Sequence, residues 1–193
     1  MLRPSYCVWF LFLLAVSLVQ SIFSLYLVAR LGFEEFTSGL MMAGIGIVVA
    51  FNQGFAMKKI WLNYFKEHHL GVWALLLGAI GYFLYAVGGL IFFVIGLICA
   101  AFAQSILRVI LTSQAVGLGL PNERGEILGI LNSFSSAGMI VGPLIAGIAF
   151  EFSVNLPVYI AAIILFFAFG LALMNRRRLD QVGLLEVASV NTL

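Results

Sequence analysis

Residues 70–107 read LGVWALLLGAIGYFLYAVGGLIFFVIGLICAAFAQSIL, and no Asp, Glu, Lys or Arg interrupts them. About 20 apolar residues in a helix cross the hydrocarbon layer of a bilayer, so this stretch is long enough for two crossings. Gly88 and Gly89 lie near its middle, and paired glycines favour a tight turn. The stretch therefore predicts two membrane-spanning helices joined by a short connection.

Low charge and high apolar content extend through the whole chain. Of its 193 residues, 63% are hydrophobic and 9% are charged, against about 25% charged in a typical soluble domain. This composition excludes a soluble globular protein. Four other charge-free runs are each long enough to span a bilayer, and they cover residues 4–29, 36–57, 127–150 and 152–175.

We predict an all-α membrane protein with six transmembrane helices in one domain, residues 1–193. The first three helices cover about as much of the chain as the last three, and an odd number of spans inverts the second set. This is the arrangement of two inverted three-helix repeats. The expected spans are about 6–30, 37–57, 69–88, 91–116, 127–149 and 156–175, followed by a tail over 176–193.

Basic residues are concentrated on one side of the predicted membrane. The opposite side holds only Arg30. Because Lys and Arg are enriched in cytoplasmic loops, we expect both termini in the cytoplasm and a bilayer around the helices. The basic residues of the cytoplasmic side are Arg3, Lys58, Lys59, Lys66, Arg124, Arg176, Arg177 and Arg178.

Polar side chains within the spans indicate which helix faces avoid lipid, because an unpaired polar group in hydrocarbon costs free energy. Ser17, Gln20, Ser21 and Ser24 share one face of the first helix. Arg108 is the only charged residue in the interior of a predicted span, since Arg30 lies at the very end of the first. The candidates for lining a cavity are Gln20, Ser24, Asn52, Gln53, Gln104, Arg108 and Asn132.

These polar residues also have structural explanations. Serine hydroxyls in helices bond to backbone carbonyls, and Gln20 can bridge two helices. Arg108 is either a fixed positive charge in a cavity or a long side chain that reaches the cytoplasmic interface. Both interpretations of Arg108 stay open at this point.

No pattern indicates an enzyme, a cofactor, a metal site or a nucleic-acid partner. The net charge is +2, and basic residues are not interleaved with aromatic ones as nucleic-acid binding requires. Cys7 and Cys99 form neither a disulfide framework nor a zinc pattern. No predicted span pairs a nucleophile with a base. None contains Asp or Glu either, which disfavours proton coupling by this chain alone.

The most specific segment is PNERGEILGILNSFSSAGMIVGPLIAG, residues 121–147. Gly138, Gly142 and Ala146 recur every four residues, and such a row of small residues lets a second helix approach closely. Pro143 lacks an N–H and crowds the carbonyl of Met139, which predicts a bend. The fifth helix is therefore expected to be tightly packed and bent.

On this segment the chain resembles the major facilitator superfamily of secondary transporters, and in particular its drug/proton antiporter branch. The family motif is G-x8-G-x3-G-P-x2-G-G, and Ala146 replaces one of its glycines. The matching residues, which we expect to pack and bend the helix, are Gly129, Gly138, Gly142, Pro143 and Gly147.

The remainder of the chain resembles the carboxyl-terminal half of tetracycline-type efflux proteins. The likeness rests on residues 36–39 at the start of the second helix, on Gln53, and on Gly81 and Tyr82 in the third. Residues 58–69 are basic but lack the Asp and glycines of the family's hallmark loop, a departure that a second half tolerates.

The resemblance implies one half of a facilitator-type efflux transporter in the bacterial inner membrane. Its expected ligand is a small molecule, and its expected partner is a second six-helix half, either another copy or another chain. No cofactor is implied. The alternative is a non-transporting membrane protein that packs against another membrane protein through its small-residue faces.

Overall fold

The described part of the chain folds into six α-helices. A computed structural model describes residues 3–55, 67–117 and 124–190, with side chains over 6–55, 69–113 and 124–174, and these ranges contain no β-strand. The helices are α1 (Arg3–Leu31), α2 (Glu35–Phe51), α3 (Glu67–Val87), α4 (Leu90–Gly117), α5 (Arg124–Phe152) and α6 (Leu156–Val190).

Each helix contains a segment long and apolar enough to cross a membrane. The prediction of an all-helical chain with six transmembrane helices is confirmed, and the chain is a multi-pass membrane protein. α6 continues as a helix beyond its apolar segment to Val190. The apolar segments are Tyr6–Leu31, Glu35–Phe55, His69–Val87, Leu90–Ser113, Arg124–Phe152 and Leu156–Met174.

The turn predicted at the paired glycines is confirmed. α3 ends at Val87, and α4 begins at Leu90. Between them Gly88 and Gly89 adopt φ angles of 104° and 85°, which residues with a Cβ rarely adopt. The turn lies opposite the amino-terminal side of the bundle, the side on which α1 begins.

Two connections on the amino-terminal side, residues 56–66 and 118–123, lie outside the described residues. They include Lys58, Lys59 and Lys66, which carry much of the topology prediction, and most of the basic loop over 58–69. The orientation of the termini therefore stays a prediction.

Two glycines bring α3 and α4 into close contact. A Cβ atom added to Gly96 would lie 2.5 Å from both the carbonyl oxygen of Gly81 and the backbone nitrogen of Tyr85. A Cβ atom added to Gly81 would lie 2.8 Å from the backbone nitrogen of Ala100. No side chain fits at either position, so the two backbones pack directly against each other, as small-residue helix contacts in membranes allow.

Polar contacts join three helices on the side opposite the amino terminus. The hydroxyl of Tyr26 in α1 lies 3.1 Å from the carbonyl oxygen of Tyr85 in α3 and 3.1 Å from Oδ1 of Asn155 before α6. The guanidinium of Arg30 lies against Gly88, because a Cβ there would be 2.9 Å from its Nη2. These contacts fix the ends of α1, α3 and α6 relative to one another.

Burial is uneven among the helices. In their most apolar segments, 61% of the residues of α1 and α3 are buried, against 11% for α2 and 22% for α5. α2 packs mainly against α1 and α4, and Leu40, Ile47 and Phe51 on it are exposed. The bundle thus has a packed scaffold of α1, α3, α4 and α6. α5 packs against α1 along one buried face and leaves the rest of its surface uncovered, and α2 is the least covered helix.

Candidate functional site

A cavity of about 280 Å³ lies among α1, α2, α3 and α4. Four of the polar candidates line it. They come from three different helices, since Gln20 lies on α1, Gln53 follows α2, and Gln104 and Arg108 lie on α4. The structure therefore brings together residues that are far apart in sequence.

The cavity is polar at one end and aromatic at the other. Gln53 and Arg108 lie toward the amino-terminal side, to which α2 and α4 both run. Tyr82 and Tyr85 lie near the opposite end of α3 and also line the cavity. The rise along α4 from the lining residue Leu97 to Arg108 is about 16 Å at about 1.5 Å per residue. The cavity is thus elongated along the bundle.

A second cavity of about 270 Å³ shares Gln20 and Arg108 with the first. Its other polar lining residues are Ser17 and Ser21 of α1 and Ser135 of α5. The first cavity reaches α2 and the second reaches α5. Gln20 and Arg108 consequently lie between the two cavities, on the face of the bundle that α2 and α5 flank.

Arg108 places a positive charge between the two cavities. Its side chain is exposed, and among the described residues that line either cavity there is no Asp or Glu. A guanidinium stays charged at any accessible pH and needs water or an anion when it lies at membrane depth. The cavities are therefore places where water or an anionic ligand is favoured over hydrocarbon.

Asn52 lies in a different place from the one expected. It is buried, with 1% of its surface exposed, and its Nδ2 donates a hydrogen bond to Oγ of Ser105 in α4. The Ser105 hydroxyl in turn donates to the carbonyl oxygen of Phe102 at 2.8 Å. Asn52 does not line the described cavities, and its hydrogen bond joins the end of α2 to α4.

The backbone changes at this contact. Residues 52–55 form a π-helical turn after α2, and such turns are frequent at functional sites. The turn places consecutive side chains in different environments, because Asn52 is buried against Ser105 while Gln53 lines the cavity. Nε2 of Gln53 also lies 3.5 Å from the carbonyl oxygen of Ser105.

Ser24 and Asn132 do not line either cavity. Both are exposed and neither is among the residues that line the two cavities. The side chain of Ser21, one turn before Ser24, lines the second cavity and donates to the carbonyl oxygen of Leu18 at 2.9 Å. The expected polar face of α1 therefore lines the cavities from Ser17 to Ser21, and Ser24 at its end does not.

The aromatic end of the cavity was not predicted from the sequence. Phe23, Tyr82 and Tyr85 line it, and the buried hydroxyl of Tyr85 has no hydrogen-bond partner among the described residues. Tyr82 and Tyr85 are three residues apart on α3, and this i, i+3 spacing was the available signal. Aromatic residues at helical spacing are common in membrane helices, so the signal was weak.

The glycine motif of α5 is divided between two environments. Gly138 and Gly142 are buried against α1, and a Cβ at Gly142 would lie 2.7 Å from Oγ of Ser17. Gly129 and Gly147 are exposed with open space at the Cβ position. Pro143 lines the second cavity and lies inside the unbroken helix α5, so the expected bend stays a prediction.

A six-helix membrane bundle with a polar cavity on one face is typical of secondary transporters. The sequence profile of the Major Facilitator Superfamily matches residues 5–189. The chain belongs to the Major Facilitator Superfamily.

Relatives of known name are consistent with this membership. The chain is 28% identical to Multidrug resistance protein 1 of Bacillus subtilis over 175 residues, which are 88% of this chain and 44% of that protein. It is 28% identical to the Quinolone resistance protein NorA of Staphylococcus aureus over 163 residues, 77% of this chain and 38% of NorA. The chain thus spans less than half the length of these relatives.

A solved transporter structure resembles this chain over a similar share of both proteins. The human organic anion transporter MFSD10 (TETRAN) superposes with a TM-score of 0.81 at 26% identity, over 89% of this chain and 40% of that one. The likeness again covers nearly all of the present chain and less than half of the protein it resembles.

Coupling between Asn52 and Ser105 is testable by a double-mutant cycle. We expect Asn52→Ala and Ser105→Ala to be non-additive by about 0.5–1.5 kcal/mol, the range for hydrogen bonds between membrane helices. The measurement is the free energy of unfolding in detergent. As a control, Asn52→Ala combined with Ser133→Ala should be additive, because Ser133 bonds within α5 to the Gly129 carbonyl. Additivity in both cycles would contradict the contact.

The two environments of the glycine motif predict different responses to the same change. Gly142→Ala should lower the melting temperature of the purified protein, because its Cβ would lie 2.9 Å from Cβ of Ser17 and 3.0 Å from the backbone nitrogen of Leu18. Overpacking of this kind costs about 1–3 kcal/mol. Gly147→Ala, with open space at its Cβ, is the matched control and should leave the melting temperature unchanged or raise it, because alanine favours a helix more than glycine does. Equal effects would refute the assignment.

Proposed function

We propose that this chain exports small molecules across the membrane as one six-helix half of a facilitator-type transporter. The observation that carries the proposal is the position of the polar cavities. They lie on the face flanked by α2 and α5, the two helices that the bundle itself covers least. A substrate path between two halves requires polar groups on such a face.

A second six-helix half would complete the cavity. In transporters of this family, the substrate site lies near the bilayer midplane between repeats, and one repeat rocks against the other. The match to less than half of each relative supports this reading. The glycine motif of α5 supports equivalence to the carboxyl-terminal half of the tetracycline-like branch. The second half would be another copy of this chain, a different chain, or the other part of a longer protein to which these residues belong.

Rocking requires a rigid half, and the scaffold supplies one. The close α3–α4 contact at Gly81 and Gly96 and the polar contacts of Tyr26 resist deformation. α2 is fixed to the scaffold near its end by Asn52 and Ser105. A rigid unit with few internal degrees of freedom moves as one body.

If transport is coupled to protons, the residue that carries the proton would belong to the second half. The described residues that line the two cavities include no Asp, Glu or His, and an intramembrane carboxylate or His is the usual carrier. We further propose that both termini are cytoplasmic in a bacterial inner membrane, as the distribution of basic residues predicts.

Efflux in cells tests the proposal. Cells that express the chain with a second six-helix half should accumulate less of at least one dye from a panel of cationic, neutral and anionic fluorescent dyes. Cells that express the chain alone test self-pairing in the same way. The rate of dye loss after loading is the measurement, and a Gly142→Leu variant with impaired packing serves as the inactive control.

Two outcomes separate transport from a purely structural role. Dye loss that depends on both halves supports transport. Dye loss that never depends on this chain, although the chain co-purifies with a membrane partner, would contradict transport and favour the non-transporting alternative.

A further inference from the structure

We propose that α2 is a movable flank of the bundle. It pivots about its short connection to α1, and the hydrogen bond between Asn52 and Ser105 is the latch that holds its carboxyl end against α4. Both positions of α2 belong to the chain without substrate, so they do not depend on the proposed function. The comparison of α2 with α5 is the starting point.

α5 is the helix equivalent to α2 in two inverted three-helix repeats, and it is fastened to α1 at several positions. Nε1 of Trp9 donates to the carbonyl oxygen of Leu131 at 3.3 Å. The ring of Phe134 lies 6.2 Å from that of Tyr6 and 5.9 Å from that of Phe10. The two buried glycines of the motif then bring the backbones of α1 and α5 together. No single one of these contacts decides the position of α5.

The middle of α2 lies farther from its neighbours. A Cβ atom added to Gly39, Gly44 or Gly46 would meet nothing within 4 Å, and Gly46 lines the cavity that separates α2 from α1 and α4. Met41 and Ile45 contact the core but stay half-buried. Lipid tails are as apolar as these side chains, so such contacts do little to keep a helix in place.

Polar groups fasten the carboxyl end of α2. Nδ2 of Asn52 donates to Oγ of Ser105, and neither residue is more than 1% exposed. When this latch opens, the Ser105 hydroxyl keeps its bond to the carbonyl oxygen of Phe102. The adjoining cavity, which Gln53 lines, offers water to the Asn52 amide. Opening therefore costs about one hydrogen bond between membrane helices and leaves no latch group unpaired.

The connection to α1 determines where α2 pivots. α1 ends at Leu31 and α2 begins at Glu35, so three residues join them. Gly32 has a φ angle of 66°, and its N–H donates to the carbonyl oxygen of Val28 at 3.1 Å. Ser38 in the first turn of α2 is buried. This end of α2 cannot leave α1, and the carboxyl end, about 25 Å away along the helix, moves most.

The position of α2 changes one wall of the cavity. Met42, Gly46 and Gln53 on that wall move with α2, whereas the walls formed by α1, α3 and α4 belong to the scaffold. With the latch closed the bundle is one rigid unit. With the latch open only α2 moves relative to the scaffold.

Distances between spin labels test the proposal. The 193-residue chain with Cys7→Ala and Cys99→Ala, in phosphatidylcholine nanodiscs, carries two labels. One pair is Ile47→Cys on α2 with Trp73→Cys on α3, and the other is Leu128→Cys on α5 with Trp73→Cys. All three side chains are exposed. Double electron–electron resonance should give one narrow distance for the α5 pair, and a major and a minor distance for the α2 pair.

Opening the latch should change the α2 pair alone. Asn52→Ala and Ser105→Ala should each raise the ratio of the minor to the major distance about three- to tenfold, the factor that corresponds to one hydrogen bond between membrane helices. Trp9→Phe is the matched control, because it removes a hydrogen bond from α5 but leaves its ring and glycine contacts. It should change neither pair.

The melting temperature of each variant shows whether it is folded, and the two pairs are also compared in the parent protein, which needs no latch substitution. A single narrow distance for the α2 pair that neither latch variant changes would overturn the proposal. So would equal broadening of both pairs, or an α5 pair that Trp9→Phe frees as much as Asn52→Ala frees α2. The efflux assay decides the proposed function separately, because these distances are measured without substrate and without a second half.

Discussion

Hydrocarbon cannot form hydrogen bonds, so every polar group of this chain within the membrane must find its partner in the protein or in water. The rest of the structure follows from that constraint. The N–H and C=O groups of the backbone form hydrogen bonds within helices, so each of the six described spans is a helix. Polar side chains in the spans must face protein or water. Gln20, Gln53, Gln104 and Arg108 meet at one cavity, while Asn52 and Ser105 satisfy each other in the protein interior.

Close packing between helices holds the polar side chains in fixed positions relative to one another. Hydrophobic association contributes little between helices in lipid, so backbone proximity and hydrogen bonds are the remaining sources of stability. Glycine at 81, 96 and 142 permits such proximity. α2 has few close backbone contacts and few hydrogen bonds to other helices. The hydrogen bond of Asn52 to Ser105 is therefore more important for holding α2 in place than a similar bond between two scaffold helices would be.

Much of this architecture was predictable from the sequence, and the parts that were not depend on contacts between helices. Charge-free runs and the Gly88–Gly89 pair predicted the spans and the turn because both effects are local. Arg108 was identifiable because one charge in a long apolar run is conspicuous. The separation of Asn52 from Gln53 was not predictable, since it depends on the π-helical turn and on Ser105 of another helix. Gly142 and Gly147 belong to the same motif, but only the three-dimensional structure distinguishes the buried glycine from the exposed one.

Water access to the polar cavity tests the central claim most directly. In a variant with Cys7→Ala and Cys99→Ala, single cysteines are introduced as Gln104→Cys in the cavity and as Ile163→Cys on α6, where the side chain is 67% exposed on an apolar surface. Both are treated in membranes with a charged thiosulfonate reagent that does not enter hydrocarbon. The account predicts modification of the cysteine at position 104 and none at 163. An unreactive cysteine at 104, or equal reaction at both positions, would contradict a hydrated cavity between these helices.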